Sequence, residues 1–312
     1  MEQNGIGFVE HQTTLKQRVS LSGLGVHSGK PATLHFNPAD ADTGIVFQRI
    51  DTGAEGRLIR ALSSEVGETD LCTALGSAEG DQVATIEHLM ATVSGMGIDN
   101  LHIEIDGGEV PIMDGSSAAF VEAFLAAGIE ILAENRRYIR ILKQVRIDAG
   151  SSWAELRPHD GTRFEVEIDF PTPVIGRQSL AVDVDRESFI RDISRARTFG
   201  FIKDVERLWA AGFALGSTLE NSVVIGEDDR VINAEGLRYP DEFVRHKMLD
   251  AVGDLALAGG RFIGCFRSYR GGHRLNAAAL KQLLSDPSAF EVVEARKRGR
   301  DFAEIVAVNQ PA

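Results

Sequence analysis

Residues 82–108 read QVATIEHLMATVSGMGIDNLHIEIDGG, and residues 240–272 read PDEFVRHKMLDAVGDLALAGGRFIGCFRSYRGG. In each stretch a helical spacing of apolar residues gives way to strand-like text and then to a glycine pair. The first predicts a helix from about Gln82 to Ser94, closed by Gly95 and Gly97, and then a half-buried strand with Leu101, Ile103 and Ile105 on one face. The second predicts a long helix over 241–258, entered by Pro240 as a first-turn proline and closed by Gly259-Gly260. A further helix follows each glycine pair, from about Ser117 to Ala127 and over NAAALKQLL (276–284). The order helix, strand, Gly-Gly, helix thus occurs twice, roughly half a chain apart, with little identity between the copies. That is a hint of duplication.

Outward from these stretches the text is strand-like. QRVSLSGLGVHSGKPATLHFNPA, TGIVFQRID, ILKQVRI and FEVEIDF alternate apolar and polar residues between turn residues. A short helical insert is expected over 204–214. Because the strands come as meanders, a single doubly wound sheet is disfavoured. The expected fold is α+β, two similar domains with helices on one face of a mostly antiparallel sheet. Arg136-Arg137 marks the boundary, giving domains 1–135 and 136–312, a division that a length of 312 residues accommodates.

Composition narrows the function classes. Apolar content of 43% and charged content of 25% belong to a folded protein. No apolar run reaches the length of about 18 residues that a spanning helix needs, and the N-terminus lacks the basic-then-apolar order of a secretory signal. A net charge of −13 argues against nucleic acid and against broad adhesion to an anionic membrane. Cys72 and Cys265 sit in apolar, strand-like text and read as reduced core residues of a cytoplasmic protein. Arg191, Arg195, Arg197 and Lys203 cluster in one stretch, mostly as solvated surface charge.

On the 241–258 helix, at about 100° per residue, His246, Lys247, Asp250 and Asp254 fall in one stripe, with Val244, Met248, Val252 and Leu255 on its flank. A His and an Asp at i, i+4 project one above the other and can chelate a cation. An i, i+4 ion pair on a solvated face gives the same pattern. In the first helix Val83, Ile86, Met90 and Val93 form the apolar stripe and His88 points nearly opposite, among Ala84, Ala91 and Thr92. A face so small and uncharged calls for a second packing partner, though a satisfied core histidine also fits. If the two helices pack together, His88, His246 and Asp250 make a three-ligand set that suits zinc, or iron(II), with a fourth position open. Glu87, about 100° around from His88, is then placed to act as a base, or else is a surface carboxylate. His273, entering the last helix, can be held protonated by Asp254.

The stretches SGLGVHSGKPATL (22–34), TIEHLMATVSGMGIDNLHIEIDGGEVPIMDGSSAAF (85–120), RARTFGF (195–201), HKMLDAVGDLALAG (246–259) and GGHRLN (271–276) resemble, in this order, the bacterial UDP-3-O-acyl-N-acetylglucosamine deacetylases of lipid A synthesis. The resemblance covers about residues 14–285. It implies two two-layer α/β sandwich domains with the active site between them, and hydrolysis of the substrate's N-acetyl group. It implies zinc on His88, His246 and Asp250, Glu87 as general base, and His273 as acid or electrostatic stabiliser oriented by Asp254. Thr198 is implied at the oxyanion, with Lys247 near the zinc. Phe199 is implied at the sugar, Arg270 near the diphosphate and Phe170 on the uracil. Residues 198–216, including Phe201, Val205, Leu208, Trp209 and Phe213, resemble the insert that lines the family's acyl-chain passage. Cys72 aligns near the metal cleft without being an essential ligand. The implied partner is the acylated UDP-sugar, met by a cytoplasmic monomer in transient contact with the inner membrane. A fusion to a dehydratase module is not expected from this length, and the tail RGRDFAEIVAVNQPA carries no diagnostic pattern.

Overall fold

The computed structural model describes residues 10–52, 57–77, 80–298 and 302–307. The first half runs β1 (His11–Leu15), β2 (Val19–Leu24), β3 (Pro31–Pro38), β4 (Ile45–Arg49), β5 (Leu58–Arg60), α1 (Glu87–Met96), β6 (Leu101–Ile105), α2 (Ala118–Ala127) and β7 (Ile129–Asn135). Strands β2-β3-β6-β4-β5 form one sheet, antiparallel except for the β4–β6 pair, while β1 pairs with β7. Alternation puts Leu34 and Phe36 of β3 and Leu101, Ile103 and Ile105 of β6 on one buried face. Helix α2 packs on that face, with the Phe36 ring edge-on to Phe120 and Phe124.

The second half runs β8 (Arg137–Ile141), β9 (Val145–Ala149), β10 (Ser152–Arg157), β11 (Thr162–Asp169), β12 (Arg177–Asp183), a single turn α3 (Arg186–Ser188), β13 (Phe199–Phe201), α4 (Val205–Ala210), β14 (Val223–Ile225), α5 (Glu242–Ala256), β15 (Arg261–Tyr269), α6 (His273–Leu284), β16 (Phe290–Arg298) and β17 (Phe302–Ala307). Strands β12-β11-β15-β8-β16-β17 lie side by side, with β10 joined to both β15 and β9. Only β11–β15 and β15–β8 are parallel in this sheet. The fold is α+β with mostly antiparallel sheets, as the meanders require. The recurring order is present as α1–β6–α2 and α5–β15–α6.

The partner that the small face of α1 calls for is α5. At Gly253 the two backbones pass so closely that a Cβ there would stand 2.0 Å from Glu87 O and 3.0 Å from Ala91 N. One hydrophobic core runs through both helices, taking in Ile103 and Met90 on one side and Val252 and Phe266 on the other.

Several boundaries differ from the sequence expectation. α1 starts at Glu87, not Gln82, because Val83 bridges to Leu75, Ala84 N donates to Gly108 O, and Thr85 has a left-handed φ of 58°. Val83 and Ala84 therefore belong to an extended segment. Gly95 lies inside α1, where the Phe189 ring fills the space a side chain would need; Gly97, at φ 76°, is the cap. Pro240 precedes the N-cap Asp241 instead of entering the first turn. The insert's helix is only Val205–Ala210. Cys265 is in a strand but Cys72 is in a loop; both are buried and free. Of the four clustered cations Arg191, Arg195 and Lys203 are exposed, as expected for most of them, and Arg197 is the exception, buried and donating to Glu242, Glu235 and Gly236 O. Among the described residues no helix is long and apolar enough to cross a membrane.

Candidate metal centre

The α1–α5 contact brings together three side chains that can share one cation. Asp250 Oδ1 lies 3.4 Å from His246 Nε2 and 3.6 Å from His88 Nε2, and one ligand atom from each residue falls within 4.8 Å of the others. His88, His246 and Asp250 are 4%, 3% and 2% exposed. Asp250 Oδ2 accepts from Lys247 Nζ at 2.7 Å, but Oδ1 is buried with no hydrogen-bond donor among the described residues. A buried carboxylate oxygen left orphaned between two imidazoles is costly unless a cation takes it. Two ring nitrogens and one carboxylate oxygen fit zinc and also iron(II).

Protonation states agree with that use. Burial pushes His246 down to about 3, more than Asp250 can offset, so the ring is neutral. Its Nδ1 stands 3.1 Å from Ala196 O, which assigns the proton to Nδ1 and leaves the Nε2 lone pair facing the cluster. Burial opposes the Asp250 charge, but the Lys247 ammonium beside it holds its carboxyl well below the usual range. Burial likewise opposes the Lys247 charge, and Asp250 reverses the direction, raising it.

Glu87 adjoins this cluster at 3% exposure, with Oε2 accepting from Thr73 N at 3.0 Å. Burial raises its pKa against the pull of His273 and His88, which makes it a stronger base than a solvated carboxylate. His273 Nε2 stands 3.9 Å from Glu87 Oε1, and its Nδ1 is 2.9 Å from Asp254 Oδ2. Thr73 Oγ1 and Asn276 Nδ2 donate to Asp254 at 2.6 and 2.8 Å, locking it in place. Burial works against a charged His273 ring, yet Asp254 and Glu87 outweigh it and lift the pKa to about 9.

The sign follows directly. His273 holds its proton below about 9 and loses it as pH rises through that value. The basic limb of the pH profile of kcat/KM is expected above the ordinary histidine range, and Asp254→Asn should move it to lower pH by removing the main stabilising charge. An unmoved limb in that variant would show that another group sets it.

The remaining expected residues are placed as follows. Phe199 stands against His246 with ring centroids 6.2 Å apart, and Phe170 packs on Phe199 at 5.7 Å. Arg270 is bound to Asp169, next to Phe170, at 2.8 Å. The half-buried Thr198 is fixed through its backbone, donating to Gly115 O and accepting from Val223 N. Its side chain makes no hydrogen bond among the described residues. Burial and the nearby Glu87 push the Cys72 thiol up to about 12, so it stays protonated.

Spacing alone did not reveal Thr73, Thr85, Glu109 or Asn276. Glu109 is buried and accepts from His27 N, Ser28 N and Thr85 Oγ1 at 2.9, 2.8 and 2.9 Å. A β-branched residue at positive φ costs about 1–3 kcal/mol and survives only when its surroundings enforce it. Here the Glu109 bond and the pairing of residues 83 and 84 enforce it, and the turn delivers Glu87 and His88 into the first turn of α1. Thr85→Val keeps the shape but removes the buried donor, with an expected loss of about 1–3 kcal/mol in denaturant unfolding. Thr85→Ser should recover most of it. Equal losses in both variants would mean that the hydroxyl bond contributes nothing.

The family model described as "LpxC: UDP-3-O-acyl N-acetylglycosamine deacetylase" matches residues 12–285. The chain belongs to this family. Proteins named UDP-3-O-acyl-N-acetylglucosamine deacetylase from Brucella ovis, Brucella canis and Brucella suis are each 61% identical to it over 285 residues, covering 91% of this chain and 99% of theirs. The chain is therefore a deacetylase by family, and the matched span contains every residue of the cluster from His27 to Asn276.

Proposed function

We propose that the protein hydrolyses the N-acetyl group of UDP-3-O-acyl-N-acetylglucosamine, releasing acetate and UDP-3-O-acyl-glucosamine in the committed step of lipid A synthesis, as a zinc enzyme. The observation that carries this reading is the orphaned Asp250 Oδ1 between His88 and His246, with Glu87 and His273 beside it. A zinc ion held by those three residues supplies Lewis acidity and makes water acidic near neutral pH.

Glu87 Oε1 is the base, because Oε2 is engaged by Thr73 N. It takes the proton of the attacking water. His273 delivers a proton from Nε2 to the departing amine, because Nδ1 is committed to Asp254. While protonated it also faces the developing oxyanion, together with Thr198. Lys247 fixes Asp250 and presents a positive charge beside the reacting group. Phe199 and Phe170, packed edge to face, offer an aromatic wall for sugar and uracil, and the neighbouring Arg270 suits the diphosphate.

The insert supports an acyl-chain role. α4 contains no buried residue, and Ile202, Trp209 and Leu215 are exposed, more than packing of the insert requires. Division into domains 1–135 and 136–312 would place α1 in one and α5 in the other, with the site between. The same reading places the reaction in the cytoplasm beside the inner membrane, where the acylated substrate resides.

The test is metal analysis combined with acetate release from the acylated UDP-sugar. About one zinc per chain, loss of activity on chelation and recovery on zinc addition are expected. Undiminished acetate release from metal-stripped protein would overturn the zinc reading.

A further inference from the structure

Toward the C-terminal end of α1, three guanidinium groups gather around the turn at Gly97. Arg136 is 1% exposed and donates to Gly97 O at 2.8 Å and to Asp99 Oδ2 at 2.6 Å. Arg186 donates twice to Met96 O, at 3.0 and 2.8 Å. Arg261, which opens β15 and pairs there through its backbone with β8, is partly buried, and its guanidinium makes no hydrogen bond or ion pair among the described residues. A Cβ built on Gly97 would lie 3.0 Å from Arg261 Nη1 and 3.9 Å from both terminal nitrogens of Arg136. The two like charges are therefore close neighbours.

The carboxylate facing them, Asp99, is already committed to Arg136 and to Thr13 N. Burial, Arg136 and Arg186 push the Arg261 pKa down, and Tyr138 and Asp99 offset them only in part. Beside Arg261 is a cavity of about 290 Å³, which Arg60 and Arg137 also line. The other acid in its wall, Asp42, is engaged by Gln12 Nε2 at 3.0 Å and by Arg137 at 3.4 Å. What remains is an unpaired guanidinium fork facing a cavity in a positively charged wall, on a protein whose net charge is −13. The chemical complement of such a fork is an oxyanion that takes two parallel N–H bonds.

We propose that this cavity is a binding site for a small oxyanion of the phosphate class, gripped by Arg261 and flanked by Arg60 and Arg137. Met90 and Val93 of α1 and Ala256 of α5 line the same cavity, so an occupant touches both helices away from the metal ligands. The inference does not depend on the proposed reaction.

Calorimetric titration of the full chain with inorganic phosphate, at ionic strength fixed with chloride, tests it. Saturable binding with a Kd of about 1 mM or tighter is expected. It should weaken at least tenfold in Arg261→Met, which keeps an unbranched side chain of similar reach, and persist in Arg270→Ala. That second variant separates this cavity from the region proposed for the substrate diphosphate. Competition by glycerol phosphate at lower concentration would mark a phosphorylated metabolite as the occupant, and its absence inorganic phosphate. If Arg261→Met does not fold, the exposed Arg60→Ala carries the same comparison, with weakened binding expected. No saturable binding, or binding unchanged by the Arg261 or Arg60 substitution, overturns the proposal.

Discussion

Replacing Glu87 with glutamine is expected to lower kcat for acetate release by about 10²- to 10⁴-fold, the range a positioned general base contributes. The substitution is nearly isosteric, and the amide oxygen can still accept from Thr73 N, so the turn into α1 should keep its shape. The three candidate ligands are untouched, and metal content should match the wild type. A loss of that size corresponds to about 3–5 kcal/mol of transition-state stabilisation. Glutamine also removes a negative charge 3.9 Å from His273 Nε2, so residual activity should lose its basic limb at a lower pH. Single-turnover rates and metal analysis on the same preparation separate the outcomes. A variant within threefold of wild type would remove Glu87 from the proton route, and a metal-free variant would give it a structural role instead.

The second large effect is expected from Gly253→Ala, which adds one methyl group. Its Cβ would stand 2.0 Å from Glu87 O, and real Cβ contacts essentially never fall below 3.0 Å, so the backbones must part by about 1 Å. The obstacle is backbone, which has no rotamer by which to retreat. Alanine improves local helix propensity by about 1 kcal/mol, so stability should fall less than activity does. Metal sites tolerate about 0.2 Å in their ligand distances, and a 1 Å misplacement can cost about 10²-fold in rate. We expect at least that loss in kcat/KM with clearly weakened metal retention. Full activity at wild-type metal content would mean that the helices accommodate the methyl group without moving His88 relative to His246.

Much of this site can be read from spacing because helices project side chains at fixed angles. His246 and Asp250 share a face wherever residues 242–256 are helical, and His88 opposes Met90 and Val93 even though α1 is shorter than its periodicity predicts. The meander pattern likewise decides the α+β class. The start of α1 was not legible, because Thr85 occupies a left-handed conformation that its residue type disfavours and long-range bonds enforce. Glu109, Thr73 and Asn276 act through contacts between distant segments, about which linear spacing carries no information. Arg197 misleads for a similar reason. Its basic neighbours are solvated, but Glu242, at the start of α5, draws this one inside.

The placement of His88 and His246 on opposite halves of the sequence has a consequence for biosynthesis. During translation the segment carrying Glu87 and His88 emerges well before α5, and early segments can begin folding as they appear. Until α5 docks, that segment offers a cation only one of the three buried candidate ligands. Assembly of the three-residue set therefore waits until residues 242–256 have emerged and α5 has docked on α1.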